Sequence, residues 1–109
     1  MSYAQSERVQ EISYALFGQR HRLAVMAAIA QSSDGRVNPS DLVKEHGFPS
    51  QSSFQNVFPG LVVAGLIKRV DGVDRRVYYE RQPSTAWTLA IELLAKALAE
   101  DTPVPDTID

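Results

Sequence analysis

The chain has 109 residues, of which 44% are hydrophobic and 22% charged, and its net charge is −2. That length suits one domain and leaves no room for two independent cores. The absence of cysteine excludes disulfides, thiolate nucleophiles and Cys-type metal or iron–sulfur sites.

The charge is unevenly spread. Residues 61–81 set Lys68, Arg69, Arg75, Arg76 and Arg81 against Asp71, Asp74 and Glu80. Residues 82–109 set Lys96 against Glu92, Glu100, Asp101, Asp106 and Asp109. The acidity therefore belongs to the C-terminal end, and exposed charges act mainly within a Debye length of about 8 Å. No apolar run reaches membrane-spanning length, and the first residues lack a basic-then-apolar leader. A soluble cytoplasmic protein with no membrane partner is expected.

Ser6 reads as the cap of a first helix, with Val9, Ile12 and Leu16 at helical spacing and Gly18 as its stop. A second helix is expected from about Gln19 to Gln31, rich in alanine. Ser32-Ser33-Asp34-Gly35 is a turn, and residues 36–38 suit a very short strand. Asn38-Pro39 opens a third helix that Gly47 ends. Ser50 is placed to cap the next, over about 50–64, with Phe54, Phe58 and Leu61 inward and Gly65 closing it. Pro59-Gly60 interrupts that helix: Pro59 either starts a new short helix, the reading preferred, or tilts the preceding segment. Two β-like stretches within 66–81, split by Asp71-Gly72-Val73-Asp74, form a hairpin. Ser84 caps a last helix to about residue 100, and an acidic tail over 101–109 is expected to be disordered.

Two helices joined by a short turn and followed at once by a hairpin make a winged helix-turn-helix, a mainly α (α+β) fold. The segment Leu16 to Arg81 resembles ArsR-type winged-helix regulators, and more loosely the MarR and PadR types. Arg20 to Met26 is similar to that family's "TRLAIL" helix. Ser50 to Phe58 stands where the family has its recognition helix, and Leu61 to Ile67 is similar to its "LREAGLV" step into the wing. The resemblance implies flanking N- and C-terminal dimerisation helices around one domain over residues 1–100. It also implies a repressor role. The departures are a turn one residue longer through Phe48-Pro49, and Gln55, Asn56 and Val57 in place of the family's Ser, Arg and His. The metal sensors of that family bind through Cys and His clusters that are lacking here, so metal sensing is not carried over and no cofactor is implied.

A helix in the major groove offers its first side chains to base edges. Those candidates are Ser50, Gln51, Ser52, Ser53, Gln55 and Asn56, all neutral. They supply readout but little counterion release, and a solvated polar helix face is the plainer alternative. Arg75, Arg76 and Lys68 on the wing are candidates for phosphate or minor-groove contact, although neighbours in a strand point to opposite faces. Arg20, Arg22 and Arg36 are weaker candidates for the DNA backbone. His21 and His46 stand alone, and no triad, nucleophile elbow or phosphate loop is present, so no enzyme is expected.

The last helix carries two apolar stripes, Trp87, Ile91, Leu94, Leu98 and Leu89, Ala90, Leu93, Ala97. One can cover the core, and the second calls for a partner, most simply a second copy, with Trp87, Ile91, Leu94 and Leu98 of this helix and Val9, Ile12 and Leu16 of the first expected at the interface. The expected function is a homodimeric, sequence-specific DNA-binding regulator of a near-palindromic site on double-stranded DNA. The alternative is a winged-helix protein-interaction module, suggested by the uncharged helix and by Val57, Val62 and Val63 as exposed positions. The residues name no small-molecule or protein effector.

Overall fold

The computed structural model describes residues 3–101. Its elements are α1 (Glu7–Phe17), α2 (Arg22–Gln31), β1 (Arg36–Val37), α3 (Pro39–His46), α4 (Val57–Val63), β2 (Ile67–Asp71), β3 (Val77–Arg81) and α5 (Ala86–Asp101). Single 3₁₀ turns lie at Tyr3–Gln5 and Gln51–Ser53. The class is α+β: helices around a three-stranded antiparallel sheet of order β1-β3-β2. The expected tail beyond residue 101 lies outside the described residues. No helix among the described residues is long and apolar enough to cross a membrane.

Local chemistry explains most boundaries. The Ser6 hydroxyl accepts from the Val9 N–H at 3.2 Å, satisfying one orphan donor of α1. Asn38 does the same for α3, accepting from Ser40 and Asp41 ahead of an N-terminal proline. Gly18 and Gly47 close α1 and α3 with φ of 70° and 72°, a left-handed backbone that costs glycine nothing. The Ser84 hydroxyl accepts from the Ala86 N–H at 3.0 Å as α5 begins.

The second helix starts at Arg22 rather than at Gln19. The Gln19 side-chain oxygen takes the His21 N–H, and the buried Ser13 hydroxyl accepts from Leu23 N–H while donating to the Gln19 carbonyl. Residues 19–21 are thereby held as a joint between α1 and α2.

The helix expected over 50–64 is not continuous. Gln51–Ser53 is a 3₁₀ turn, Phe54 leaves the helical region with φ of −135°, and α4 begins at Val57. In an unbroken helix Pro59 would have no N–H for the Gln55 carbonyl, and its ring would collide with that carbonyl. Starting at Val57 puts Pro59 third in the helix, where an N–H has no intrahelical partner to lose. Serines reinforce the break, for Ser53 Oγ donates to the Ser50 carbonyl at 2.6 Å and competes with helical bonding. Pro59 thus belongs to a new short helix.

The hairpin pairs Ile67 with Arg81 through Asp71 with Val77, and β1 adds Arg36–Glu80 and Val37–Tyr79 on the other edge of β3. Alternation turns Val37, Ile67 and Tyr79 toward the core and puts Arg36, Glu80 and Lys68 on one rung of the outer face. Arg81 Nη1 donates to the carbonyls of Ile29, Ala30 and Ser32 at 2.8–3.1 Å, so the sheet caps the C-terminal end of α2.

Helix α2 is the centre of the core, with every residue from Leu23 to Ile29 buried. Helices α1 and α5 both pack on it, and they touch each other, with Arg8 reaching Glu100 at 2.9 Å. This corrects the expected dimer face. Val9, Trp87 and Leu94 are only 0%, 8% and 4% exposed and belong to the chain's own core. The core-facing row of α5 is Trp87, Ala90, Leu94 and Ala97, drawn from both expected stripes. Two neighbours in the same chain cover Val9, Trp87 and Leu94, three of the seven residues that periodicity assigned to a second copy. Ile12, Ile91 and Leu98 are half-buried against this core, and Leu16 remains 59% exposed.

Candidate nucleic-acid interface

Phe54, Val57, Phe58 and Leu61 are the buried side of residues 50–64. Phe48, Phe54, Phe58 and Tyr79 form a run of ring contacts at 4.6, 6.0 and 4.6 Å, the last a stacked pair. That stack joins α4 to the central strand of the sheet, so the 50–64 segment and the hairpin are held as one body. Val57, expected as an exposed position, is fully buried, because the helix restarts there with its apolar side inward.

The complementary side is exposed. Ser50, Gln51, Ser52, Gln55 and Asn56 face solvent, as do Val62 and Val63, whereas Ser53 is half-buried. The side-chain amides of Gln51 and Gln55 have no hydrogen-bond partner among the described residues. Ser50 and Ser52 share a bond at 2.9 Å between their hydroxyls. Asn56 is oriented from elsewhere: Gln19 Nε2 donates to its Oδ1 at 3.1 Å and to the Ser53 carbonyl at 3.1 Å. Sequence reasoning gives Gln19 no such role, because it lies 37 positions from Asn56 and no short-range pattern links them.

The cations divide into two groups. Arg36 pairs with Glu80 at 3.1 Å, Arg69 lies 3.7 Å from Asp71, and Arg8 bridges Glu11 and Glu100. Arg76 is turned back onto the helix before the break. Its Nη2 reaches Asp41 Oδ1 at 2.7 Å, Asn38 Oδ1 at 2.8 Å and Ser40 Oγ at 3.2 Å, and its guanidinium lies over the Tyr78 ring. Hydrogen bonding to Asp41 raises its pKa above the usual arginine value. Asp74 holds the turn, accepting the Arg76 N–H and the Tyr78 hydroxyl, and the Arg76 N–H chiefly depresses its carboxyl pKa.

Arg20, Arg22, Lys68 and Arg75 have no carboxylate partner among the described residues. Of the two arginines at the hairpin tip, Arg75 is therefore the one presented to solvent. It is also the only non-glycine among the described residues with positive φ, 67°. Arg22 donates to the Phe17 carbonyl at 3.3 Å, its Nε is buried without a partner, and its guanidinium lies over Gly60 of α4. The joint at residues 19–22 thus adjoins the exposed segment, which sequence spacing alone does not reveal.

His21 is buried in that joint, its ring edge-on to Phe48 at 5.8 Å, and burial lowers its pKa. No group of His, Asp or Glu suited to a metal ion occurs among the described residues. A groove of about 440 Å³ between the end of α2, α3 and the outer sheet face is lined by Asp34, Asp41, Glu45 and Tyr78, among others.

Comparison with known proteins returned no match: no family model, curated protein or solved structure aligns significantly with this chain.

Proposed function

We propose that the chain is a sequence-specific DNA-binding transcriptional regulator with a winged helix-turn-helix fold. In this reading it is ArsR-like in layout, does not sense metals, and acts as a homodimeric repressor on a near-palindromic site. The observation that carries the reading is the rigid coupling, through the Phe58–Tyr79 stack, of an exposed amide- and hydroxyl-bearing segment to a hairpin tipped by an unpaired arginine. The segment enters the major groove with Gln51, Ser52, Gln55 and Asn56 toward base edges. Arg75 meets the minor groove or a phosphate, and Lys68, Arg20 and Arg22 neutralise the backbone. Pairing of copies uses the exposed Leu16, together with the part of Ile12, Ile91 and Leu98 that the core does not cover.

A second reading, a winged-helix module that docks another protein, draws on the exposed Val62 and Val63. Selection of bound duplexes from a random pool, with affinity measured at about 50 and 200 mM salt, separates the two. Enrichment of a near-palindrome with steep salt dependence is the expected result. Absence of duplex binding at the lower salt refutes the DNA reading in favour of the protein module.

A further inference from the structure

The exposed side of the 50–64 segment has a composition that points to a class of base pair. No Asp, Glu, Lys or Arg occurs between Glu45 and Lys68, in a chain that is 22% charged. In the major groove the commonest guanine contact is the fork of an arginine or the ammonium of a lysine, and cytosine is read by a carboxylate. Neither chemistry is carried by the segment itself, and Arg22, the arginine beside Gly60, is held to the Phe17 carbonyl. What it offers instead is side-chain amides, which bond adenine bidentately, and branched apolar side chains, which pack on the thymine C5-methyl.

The structure distributes these groups along the segment. Gln51 and Gln55 are exposed, with amides that no described residue engages. Asn56 is already oriented by Gln19, so adenine readout falls on the two glutamines. Val62 and Val63 are 40% and 88% exposed, although Leu61 beside them is buried. Valines on the outer side of a short helix gain nothing from water, and a thymine methyl gives them an apolar surface to cover.

Building on the DNA-binding reading, we infer that the chain selects A·T pairs in the major groove, with adenines read by Gln51 and Gln55 and thymine methyls by Val62 and Val63. The departures of this segment from a recognition helix bearing arginine and histidine then become a change in the bases read.

The test uses the duplex recovered from random selection. Each of its thymines is replaced in turn by deoxyuridine, which differs by the one C5-methyl. Each contacted methyl is expected to contribute about fourfold in affinity, the equivalent of one buried methylene. Val63→Ser should lose a similar factor on the thymine duplex and almost nothing on the uracil duplex. Its exposure means that the substitution leaves the core untouched. Gln55→Ala should lose about 5–150-fold on the selected site, with that loss confined to duplexes carrying the adenine. A G·C-rich selected core, or indifference to every thymine-to-uracil change, overturns this inference while DNA binding stands. Failure of the wild-type chain to bind any duplex overturns the DNA reading, and this inference with it.

Discussion

Arg75 permits stability and the proposed DNA contact to be separated at one residue. Its φ of 67° puts a side chain where a Cβ crowds the following carbonyl. That conformation costs a non-glycine residue about 1–2 kcal/mol. Glycine removes the strain and gives back about 0.5–1 kcal/mol through the greater freedom of its unfolded chain. The turn is otherwise held by groups that glycine retains or does not touch: Arg75 N–H to the Gly72 carbonyl, Gly72 N–H to the Arg76 carbonyl, and Asp74 on the Arg76 N–H. Arg75→Gly should therefore stabilise the protein by about 0.5–1 kcal/mol, raising Tm by roughly 2–4 °C in a domain of this size. Arg75→Asn, tolerant of the same conformation, should gain part of this, and Arg75→Ala should gain nothing. All three remove the same charge, so each should flatten the slope of log affinity against log salt by about 0.9. Thermal unfolding by circular dichroism and anisotropy titrations at several salt concentrations read the two effects separately. A glycine variant no more stable than wild type refutes the strain argument. An unchanged salt slope in all three refutes the contact.

Other perturbations follow from the same geometry. Asp41→Asn removes the carboxylate that holds the Arg76 guanidinium at 2.7 Å. Left without a carboxylate partner and held only by the neutral acceptors of Asn38 and Ser40, Arg76 should strengthen duplex binding and steepen its salt dependence, which the same anisotropy titrations would detect. Phe54→Ala empties a fully buried position in the aromatic run and should cost about 3–5 kcal/mol, measured by urea unfolding. Burial depresses the His21 pKa in the folded chain, so the unfolded chain binds the proton more readily. The resulting stability is present above the unfolded value near 6.5 and is lost as pH falls from there toward the folded value. His21→Leu should flatten the change in urea midpoint between pH 7.5 and 5.5, and an undiminished pH dependence would exclude His21 as its source. Under the proposed pairing of copies, Leu16→Glu should shift the sedimenting species from dimer to monomer while the far-ultraviolet circular dichroism of the folded chain is retained, since Leu16 is 59% exposed.

Much of the fold was legible because its signals act within a few residues. Ser6 and Gly18 bound one helix, Asn38-Pro39 and Gly47 another, and Asp71 to Asp74 divide two strands; in each case the deciding group lies on the element itself or next to it. The restart at Val57 is also local in origin, since a proline at 59 denies the Gln55 carbonyl its donor. The candidate base-reading residues follow from the resemblance of Ser50 to Phe58 to a recognition helix, and the apolar period of 54, 58 and 61 agrees with their outward placement. Periodicity, however, says which side chains are apolar and not what covers them. The last helix bears two apolar stripes in sequence, and only the packing of α5 against α2 and α1 together showed that Trp87 and Leu94 are spent within one chain. Strand alternation left the hairpin arginines undivided. The left-handed turn at Arg75 and the reach of Arg76 to Asp41, 35 positions away, divided them. Gln19 on Asn56 and Arg22 over Gly60 are contacts of the same kind. They arise when distant segments close on one core, so the sequence determined the elements and their outward faces, whereas tertiary packing decided which charges and which apolar surfaces remain available.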